Sequence, residues 1–243
     1  MNKTVIITGG SRGIGAATSR VLAKQGYNVC INFINNEAAA SQLCDEIKQG
    51  GGRAMLFKAD VSIEADVESL FGAANAEFGT VTHLVNNVGI LFEKTDFTQI
   101  TAERFMKVMN TNVLSAFLCS KAFVRQKNKE GAIVNVSSAA SRTGSPFEYV
   151  DYASSKGAMD SLTKGLSIEL AAKNIRVNCV RPGFIQTDIH ADGGEPDRVK
   201  RLSSQIPLQR GGKPEEVANA IAWLLSDEAS YATGSFVDIA GGR

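Results

Sequence analysis

Short apolar runs alternate with helical patterns from one end of this sequence to the other, and that alternation restricts the folds open to it. Thr4–Thr8, Asn28–Phe33, Ala54–Lys58, His83–Asn86, Ala132–Ser137, Arg176–Val180 and Ser235–Ile239 read as strands. Between them lie helical patterns: one from the glycines after Thr8 through about Gln25, then Glu37–Gln49, Ile63–Phe78, a long helix over roughly Ala102–Gln126, one from about Tyr152 to Lys173, and Pro214–Leu225. Strands separated by helices of this length need crossover connections, which build a largely parallel sheet. Runs such as TVIIT and AIVNVS are apolar on both faces, as a sheet covered by helices on both sides requires. The expectation is an α/β fold, a doubly wound parallel sheet forming a single domain over residues 1–243. No linker, repeat or low-complexity tract divides it.

Composition narrows the function classes. Lys and Arg number 26 against 25 Asp and Glu, a formal charge of +1. A nucleic-acid binder should show a basic excess or stripe, so no nucleic-acid partner is expected. No window approaches the roughly 18 apolar residues of a membrane span, so no membrane partner is expected either. The opening residues run straight into a strand and a glycine turn rather than through a secretory leader, which gives a cytoplasmic expectation. Cys30, Cys44, Cys119 and Cys179 lie far apart without a C-x-x-C pair, and only His83 and His190 could join them. They read as reduced, mostly buried thiols, with no metal site.

The first strand leads into VIITGGSRGIG, with Gly9, Gly13 and Gly15 at the opening of a helix. Glycine lets a backbone turn sharply and approach a pyrophosphate, while free helix N–H groups point at the negative charge. Ser11, Arg12 and Ile14 lie inside this turn, and Arg12 has the planar fork that suits a phosphate. The spacing G-x-x-x-G-x-G is wider than the common dinucleotide fingerprint and lacks the Lys-Ser/Thr ending of a triphosphatase loop. The end of the second strand, at Phe33, should meet the adenosine ribose, where an NAD site commonly places an acid. The run Cys30–Asn36 has none before Glu37. Together with Arg12 this favours NADP(H), with NAD(H) as the alternative.

Tyr152 and Lys156 are four residues apart, which places them on one helix face. An ammonium beside a phenol favours the phenolate and should lower a pKa that is otherwise near 10. Alone, the pair could equally be a polar cap on a surface helix. Its company argues otherwise. Ser137 and Ser138 end one apolar strand, and Asn86-Asn87-Val88-Gly89 end the one before it, at the side of a parallel sheet where ligands bind.

These motifs, in this order, resemble the short-chain dehydrogenase/reductase family over essentially the whole chain, near its 3-oxoacyl-acyl-carrier-protein reductase and glucose dehydrogenase-like members. The matching residues are T-G-x-x-x-G-x-G at Thr8–Gly15, Asp60-Val61, N-N-x-G at Asn86–Gly89, Y-x-x-x-K at Tyr152–Lys156, Pro182-Gly183, and the ending TGSFVDIAGGR. The resemblance implies a Rossmann-like fold and hydride transfer between a nicotinamide cofactor and a small carbonyl or alcohol substrate. It implies that Ser138, rather than Ser137, polarises the substrate oxygen, that Tyr152 exchanges the proton, and that Lys156 binds the nicotinamide ribose and tunes Tyr152. Asn112 is then the residue that holds a water in a proton relay, in preference to Asn110. Asp60 and Val61 fall at the adenine, and Asn87, Gly89, Pro182, Gly183, Ile185 and Thr187 are further cofactor contacts. Two departures stand out: Val88 replaces a usual alanine, and the 14-residue step from Ser138 to Tyr152 is one longer than in many relatives.

The segment 187–209, with HADGGEP inside it, is the least regular part of the chain and reads as a substrate-covering stretch. An acyl carrier protein is a further possible partner, since Lys129 and Lys173 match basic positions of the reductases that use one, with Arg125, Lys127 and Arg176 nearby. A non-catalytic dinucleotide-binding regulator is the alternative of a different class. The family's habit of pairing long helices implies a homotetramer, with a dimer as the fallback, through Ala102–Gln126 and Ala153–Lys173, where Phe117, Phe123, Met159 and Leu166 are either interface or core.

Overall fold

β-Branched side chains fill every position of the first strand, β1 (Thr4–Ile7), and all four are buried. In the computed structural model, which describes residues 3–126 and 130–243, β1 lies inside a seven-stranded sheet. On one side stand β2 (Asn28–Phe33) and β3 (Arg53–Lys58). On the other stand β4 (His83–Asn86), β5 (Gly131–Val136), β6 (Ile175–Pro182) and β7 (Phe236–Ile239). The order is β3-β2-β1-β4-β5-β6-β7, and every pairing is parallel.

Successive side chains of a strand point to opposite faces, so each strand supplies two cores. Ile7 and Ile31 face a cluster with Leu22 of α1 (Gly13–Lys24), Leu43 of α2 (Glu37–Gln49), and Ile221 and Leu225 of α10 (Pro214–Leu225). Ile6 and Leu84 face the opposite cluster, with Leu70 and Phe71 of α3 (Glu64–Phe78) and Phe123 of α5 (Ser115–Arg125). Fully burying each such side chain contributes about 1.5–3 kcal/mol before chain entropy is counted. The remaining helices are α4 (Ala102–Met109), α6 (Ala140–Thr143), α7 (Val150–Glu169), α8 (Ile189–Asp192) and α9 (Arg198–Leu202). The doubly wound fold read from the sequence is the fold observed.

Three local differences from the sequence reading bear on function. The expected helix Ala102–Gln126 is two helices, α4 and α5, joined by a π-turn at Asn110–Leu114. The patterning runs through this turn because a single widened turn hardly disturbs an apolar stripe. Helix α7 begins at Val150, two residues before Tyr152, so the pair sits inside the first turns rather than at the cap. β6 extends through Pro182, which carries the Pro182-Gly183 turn to the sheet's carboxyl edge.

A ladder of buried amides crosses the middle of the sheet just below that edge. Asn86 donates to Asn135 Oδ1 (2.8 Å) and Ser120 Oγ (3.1 Å), and Asn135 donates to Thr163 Oγ1 (2.9 Å). Buried amides need such partners, and here they tie β4, β5, α5 and α7 into one block. The four cysteines are buried and unpaired, and among the described residues no group of His, Cys, Asp or Glu could hold a metal. No helix among them is long and apolar enough to cross a membrane.

Candidate active site

The strand order reverses between β1 and β4, and the crevice above that point is where open α/β sheets bind ligands. A cleft of about 1040 Å³ opens there, along the carboxyl ends of the strands.

Its first wall is the glycine turn between β1 and α1. Gly9 and Gly13 have φ of +59° and +51°, the left-handed region that favours glycine. Gly10 N–H bonds Asn32 O (2.9 Å), and Gly9 N–H bonds Asn32 Oδ1 (3.2 Å), which ties the turn to the end of β2. Asn87 closes it from the other side, donating to the Thr8 and Gly9 carbonyls at 3.0 and 3.1 Å. Ser11, Arg12, Gly13 and Ile14 face the cleft, whereas Gly15 is buried behind it. A Cβ on Gly15 would stand 2.7 Å from Asn87 Nδ2, so this glycine is required by packing. Phe33, Asp60 and Val61 line the far end of the same wall. Asp60 Oδ1 is held by Ser62, through its N–H at 2.9 Å and its hydroxyl at 2.6 Å. Arg12 does not hang free: its guanidinium meets Asp192, on α8, at 2.7 Å.

The second wall carries Ser137, Ser138, Tyr152 and Lys156, with Asn112 behind them. Ser137, buried, donates to the Lys156 carbonyl (3.1 Å) and is thereby occupied. Ser138, one residue on, faces the cleft and accepts from Ala140 N–H (3.1 Å), and its hydroxyl acts to lower the pKa of the Tyr152 phenol. Lys156, 3% exposed, donates to the Val136 carbonyl (2.8 Å), with its Nζ 5.5 Å from the Tyr152 ring centre. Gly89 lies against both Lys156 Nζ and Asn112 Oδ1. Asn112 stands one layer back, fully buried on the π-turn. Its Oδ1 accepts from Ile90 N–H (2.8 Å), and its Nδ2 donates to Ile90 O (3.2 Å) and Ser155 Oγ (3.0 Å). Val88 packs onto the core beneath and touches the space a Gly9 side chain would need.

The electrostatics depart from the simple pairing argument. Burial pushes the Tyr152 phenol up to about 12, against a smaller lowering from Ser138. Burial likewise pushes the Lys156 ammonium down to about 8. Desolvation disfavours the charged form of each, and it outweighs the attraction expected from their spacing. Spacing along a helix reports proximity, whereas burial depends on what the rest of the chain places around the pair.

The third wall comes from Pro182, Gly183, Ile185 and Thr187 and from the segment beyond. The sequence reading missed most of what this wall contributes. Arg198 of α9 is 7% exposed, pairs with Glu148 and with Glu195 (3.1 Å), and stacks on Tyr149 at 4.6 Å. His190 lines the cleft, one ring nitrogen 2.9 Å from Ile185 O and the other without a partner; burial lowers its pKa. Phe184 and Arg243 complete the wall. Arg198, His190 and Phe184 stand outside the matched motifs, and Arg243 enters only as the last residue of TGSFVDIAGGR; the four converge only through the fold. The loop before α7, which takes up the long step from Ser138 to Tyr152, holds Ser145 (φ 42°) and Phe147 (φ 65°) in the left-handed region. That conformation costs a non-glycine residue about 1–2 kcal/mol.

The glycine turn and the Ser138, Tyr152 and Lys156 side chains line one crevice of a doubly wound α/β fold, and comparisons with known proteins place that fold among NAD(P)(H)-linked oxidoreductases. Residues 9–243 match the family described as enoyl-(acyl carrier protein) reductase. The chain is 56% identical to the uncharacterized oxidoreductase YgfF of Escherichia coli, over 98% of each chain. It is 37% identical to glucose 1-dehydrogenase 2 of Bacillus subtilis, over 99% of this chain and 94% of that one. Among solved structures, 3-ketoacyl-(acyl-carrier-protein) reductase from Brucella melitensis, complexed with NADH, superposes with a TM-score of 0.92 at 33% identity, over 99% of this chain and 98% of that one. A blue fluorescent protein from a metagenomic library, in complex with NADPH, gives 0.91 at 31%, over 99% and 97%. The chain belongs to the short-chain dehydrogenase/reductase family, whose members transfer hydride with NAD(P)(H).

Proposed function

We propose that this oxidoreductase prefers NADP(H) and reduces small carbonyl compounds or oxidises the matching alcohols, using Ser138, Tyr152, Lys156 and Asn112. The observation that carries the reading is the Ser138–Tyr152 hydroxyl pair, open to the same cleft as the glycine turn with Lys156 directly behind it. The cradle left by Gly9 and Gly13 suits a pyrophosphate, with Asn87 and Gly89 alongside; Phe33, Asp60 and Val61 would hold the adenosine end, and Pro182, Gly183, Ile185 and Thr187 the nicotinamide end. When bound, the dinucleotide supplies or receives a hydride at nicotinamide C4.

The chain's own residues then do four things. Ser138 donates to the substrate oxygen and fixes it beside Tyr152. Tyr152, which burial keeps protonated across the neutral range, gives that oxygen its phenolic proton in reduction and takes it back in oxidation. Lys156 holds the ribose hydroxyls and, as the ammonium below about pH 8, stabilises the phenolate left behind. Asn112, with both Nδ2 hydrogens already given, has acceptor capacity left to hold a water that resupplies Lys156. Segment 187–209 forms the wall that covers the substrate.

Two features support NADP(H): Arg12 at the cleft mouth, and the lack of an acid in Asn32–Asn36. The segment Ile34–Asn36 is exposed and lines the same cleft. The second reading is a 3-oxoacyl-acyl-carrier-protein reductase, favoured by the family description and by the Brucella structure. The basic surface it needs is thinner than the sequence suggests. Arg176 turns inward, Arg125 stands 3.7 and 3.8 Å from Glu64 and Glu68, and Lys127 and Lys129 lie outside the described residues. The working form is a cytoplasmic homotetramer. Phe123 and Met159 belong to the core, but Phe105, Met106 and Leu114, with Phe117 and Ile168, stay exposed on the two expected faces. Sedimentation giving only monomer would reject the assembly. The reaction is tested by matched NADPH and NADH assays over simple ketones, sugars and acetoacetyl thioesters. Turnover of small carbonyls with NADPH, several-fold above NADH, is expected; turnover confined to thioesters selects the second reading, and no turnover at all favours a non-catalytic regulator.

A further inference from the structure

We propose that Arg243 binds an anionic group of the substrate, so that the carbonyl compounds preferred by this cleft carry a carboxylate or phosphate remote from the reacting carbon. The inference rests on the reductase reading above and narrows its substrate class.

Four arginines line the cleft: Arg12, Arg198, Arg201 and Arg243. Arg198 pairs with Glu148 and Glu195, Arg201 pairs with Glu195 (2.9 Å), and Arg12, on the dinucleotide side, meets Asp192 (2.7 Å) in an exposed pair that a cofactor phosphate can displace. Arg243 alone has no side-chain carboxylate within ion-pair distance among the described residues. Its guanidinium lies 4.9 Å over the Phe184 ring, which leaves the edges of the fork, where the N–H groups point, free for a ligand. Phe184 follows the Pro182-Gly183 turn, and the Pro182 carbonyl accepts from Ala139 N–H (2.9 Å), the residue after Ser138. The stacked arginine therefore belongs to the substrate end of the cleft.

Its backbone is anchored. Arg142 Nη2 donates to the Arg243 main-chain oxygen (3.0 Å) and its Nη1 pairs with Asp238 (3.1 Å), while Leu208 N–H bonds Gly241 O (3.1 Å). A planar cation held in place and stacked on an aromatic ring is already ordered to receive a carboxylate or phosphate through two parallel hydrogen bonds. The acids of this wall do not oppose that. Glu148 and Glu195 are each neutralised by arginine or lysine, the latter also by Lys94 at 3.0 Å. The remaining acid of the nearby wall, Asp188, follows Thr187, whose methyl lies against Gly13 on the dinucleotide side.

The test uses matched substrate pairs assayed with NADPH: a keto acid against its methyl ester, and a phosphorylated hydroxyketone against its free alcohol. The expected result is at least a tenfold higher kcat/KM for the anionic member of one pair, carried by KM, and that pair tells carboxylate from phosphate. Arg243→Met, which keeps a long apolar side chain over Phe184, should collapse the ratio toward one, and Arg243→Lys should restore part of it. An NADPH-induced melting shift like the parent's shows that each variant is folded. Equal turnover of both members by the parent, or a ratio that survives Arg243→Met, overturns this inference and leaves the reductase reading standing. Reduction of no member of any pair overturns the reductase reading itself, and this inference with it.

Discussion

The two ends of the same sheet treat polar side chains in opposite ways. At the amino end they are consumed by the fold. Arg176 enters from β6 and donates to the carbonyls of Leu224 (2.7 Å), Ser226 (3.0 Å), Leu225 and Ala232 (both 3.3 Å), which satisfies the C-terminus of α10. His83, at the start of β4, lies 2.8 Å from Thr82 Oγ1 and stacks edge-on with Tyr27, while Lys3 meets Asp227 at 2.7 Å. At the carboxyl end the chain uses glycine turns, main-chain ties and the Asn86–Asn135 ladder to hold itself together. That leaves Ser138, Tyr152 and the Arg243 guanidinium lining the cleft. Chemistry needs groups whose bonding is incomplete until substrate arrives, and the fold can leave them incomplete only where other residues supply the stability.

That contrast can be broken from either end. Tyr152→Phe should cut turnover by about 10²- to 10⁴-fold, the range for loss of a general acid, in a steady-state assay with NADPH. His83 is the largest lever at the other end. Burial, followed by the Lys3 charge, lowers its pKa from 6.5 to about 4, so the folded protein binds fewer protons than the unfolded chain between those values. Stability is therefore full above pH 6.5 and lost as pH falls toward 4, by roughly 3 kcal/mol. Denaturant melts of His83→Gln should show a flatter acid limb than the parent over that window. Arg176→Met should lower stability by about 2–3 kcal/mol, since it orphans helix-end carbonyls, while turnover at 25 °C stays near the parent's. The smallest effect is on cofactor choice. Arg12→Met should weaken NADPH binding by about tenfold and NADH binding much less, read by fluorescence titration.

The sequence shows the layers and most of the cleft, for reasons that are local. Apolar runs such as TVIIT and GAIVNV identify strands, and VIITGGSRGIG and Tyr152–Lys156 carry their geometry within a few residues. What stayed hidden depends on distant parts of the chain. The π-turn at Asn110–Leu114 leaves the patterning of α4 and α5 nearly intact, so one long helix is the natural reading. The high pKa of Tyr152 comes from the walls around it, and the inward turn of Arg176 from the end of α10, 48 residues away in sequence at Leu224. Nothing local to Arg198 or Arg243 points to a partner; the fold brings Glu148 and Phe184 to them.

The most direct test of the division of labour between the two ends is the melting temperature of Tyr152→Phe and Arg176→Met, each with and without saturating NADPH. A ligand that binds only the folded state raises the melting temperature by mass action, whether or not chemistry follows. Tyr152→Phe is expected to melt with the parent and to gain the parent's NADPH shift, while Arg176→Met starts lower and gains the same shift. A Tyr152→Phe variant that melts as low as Arg176→Met, or an Arg176→Met variant that loses the NADPH shift, would contradict the account.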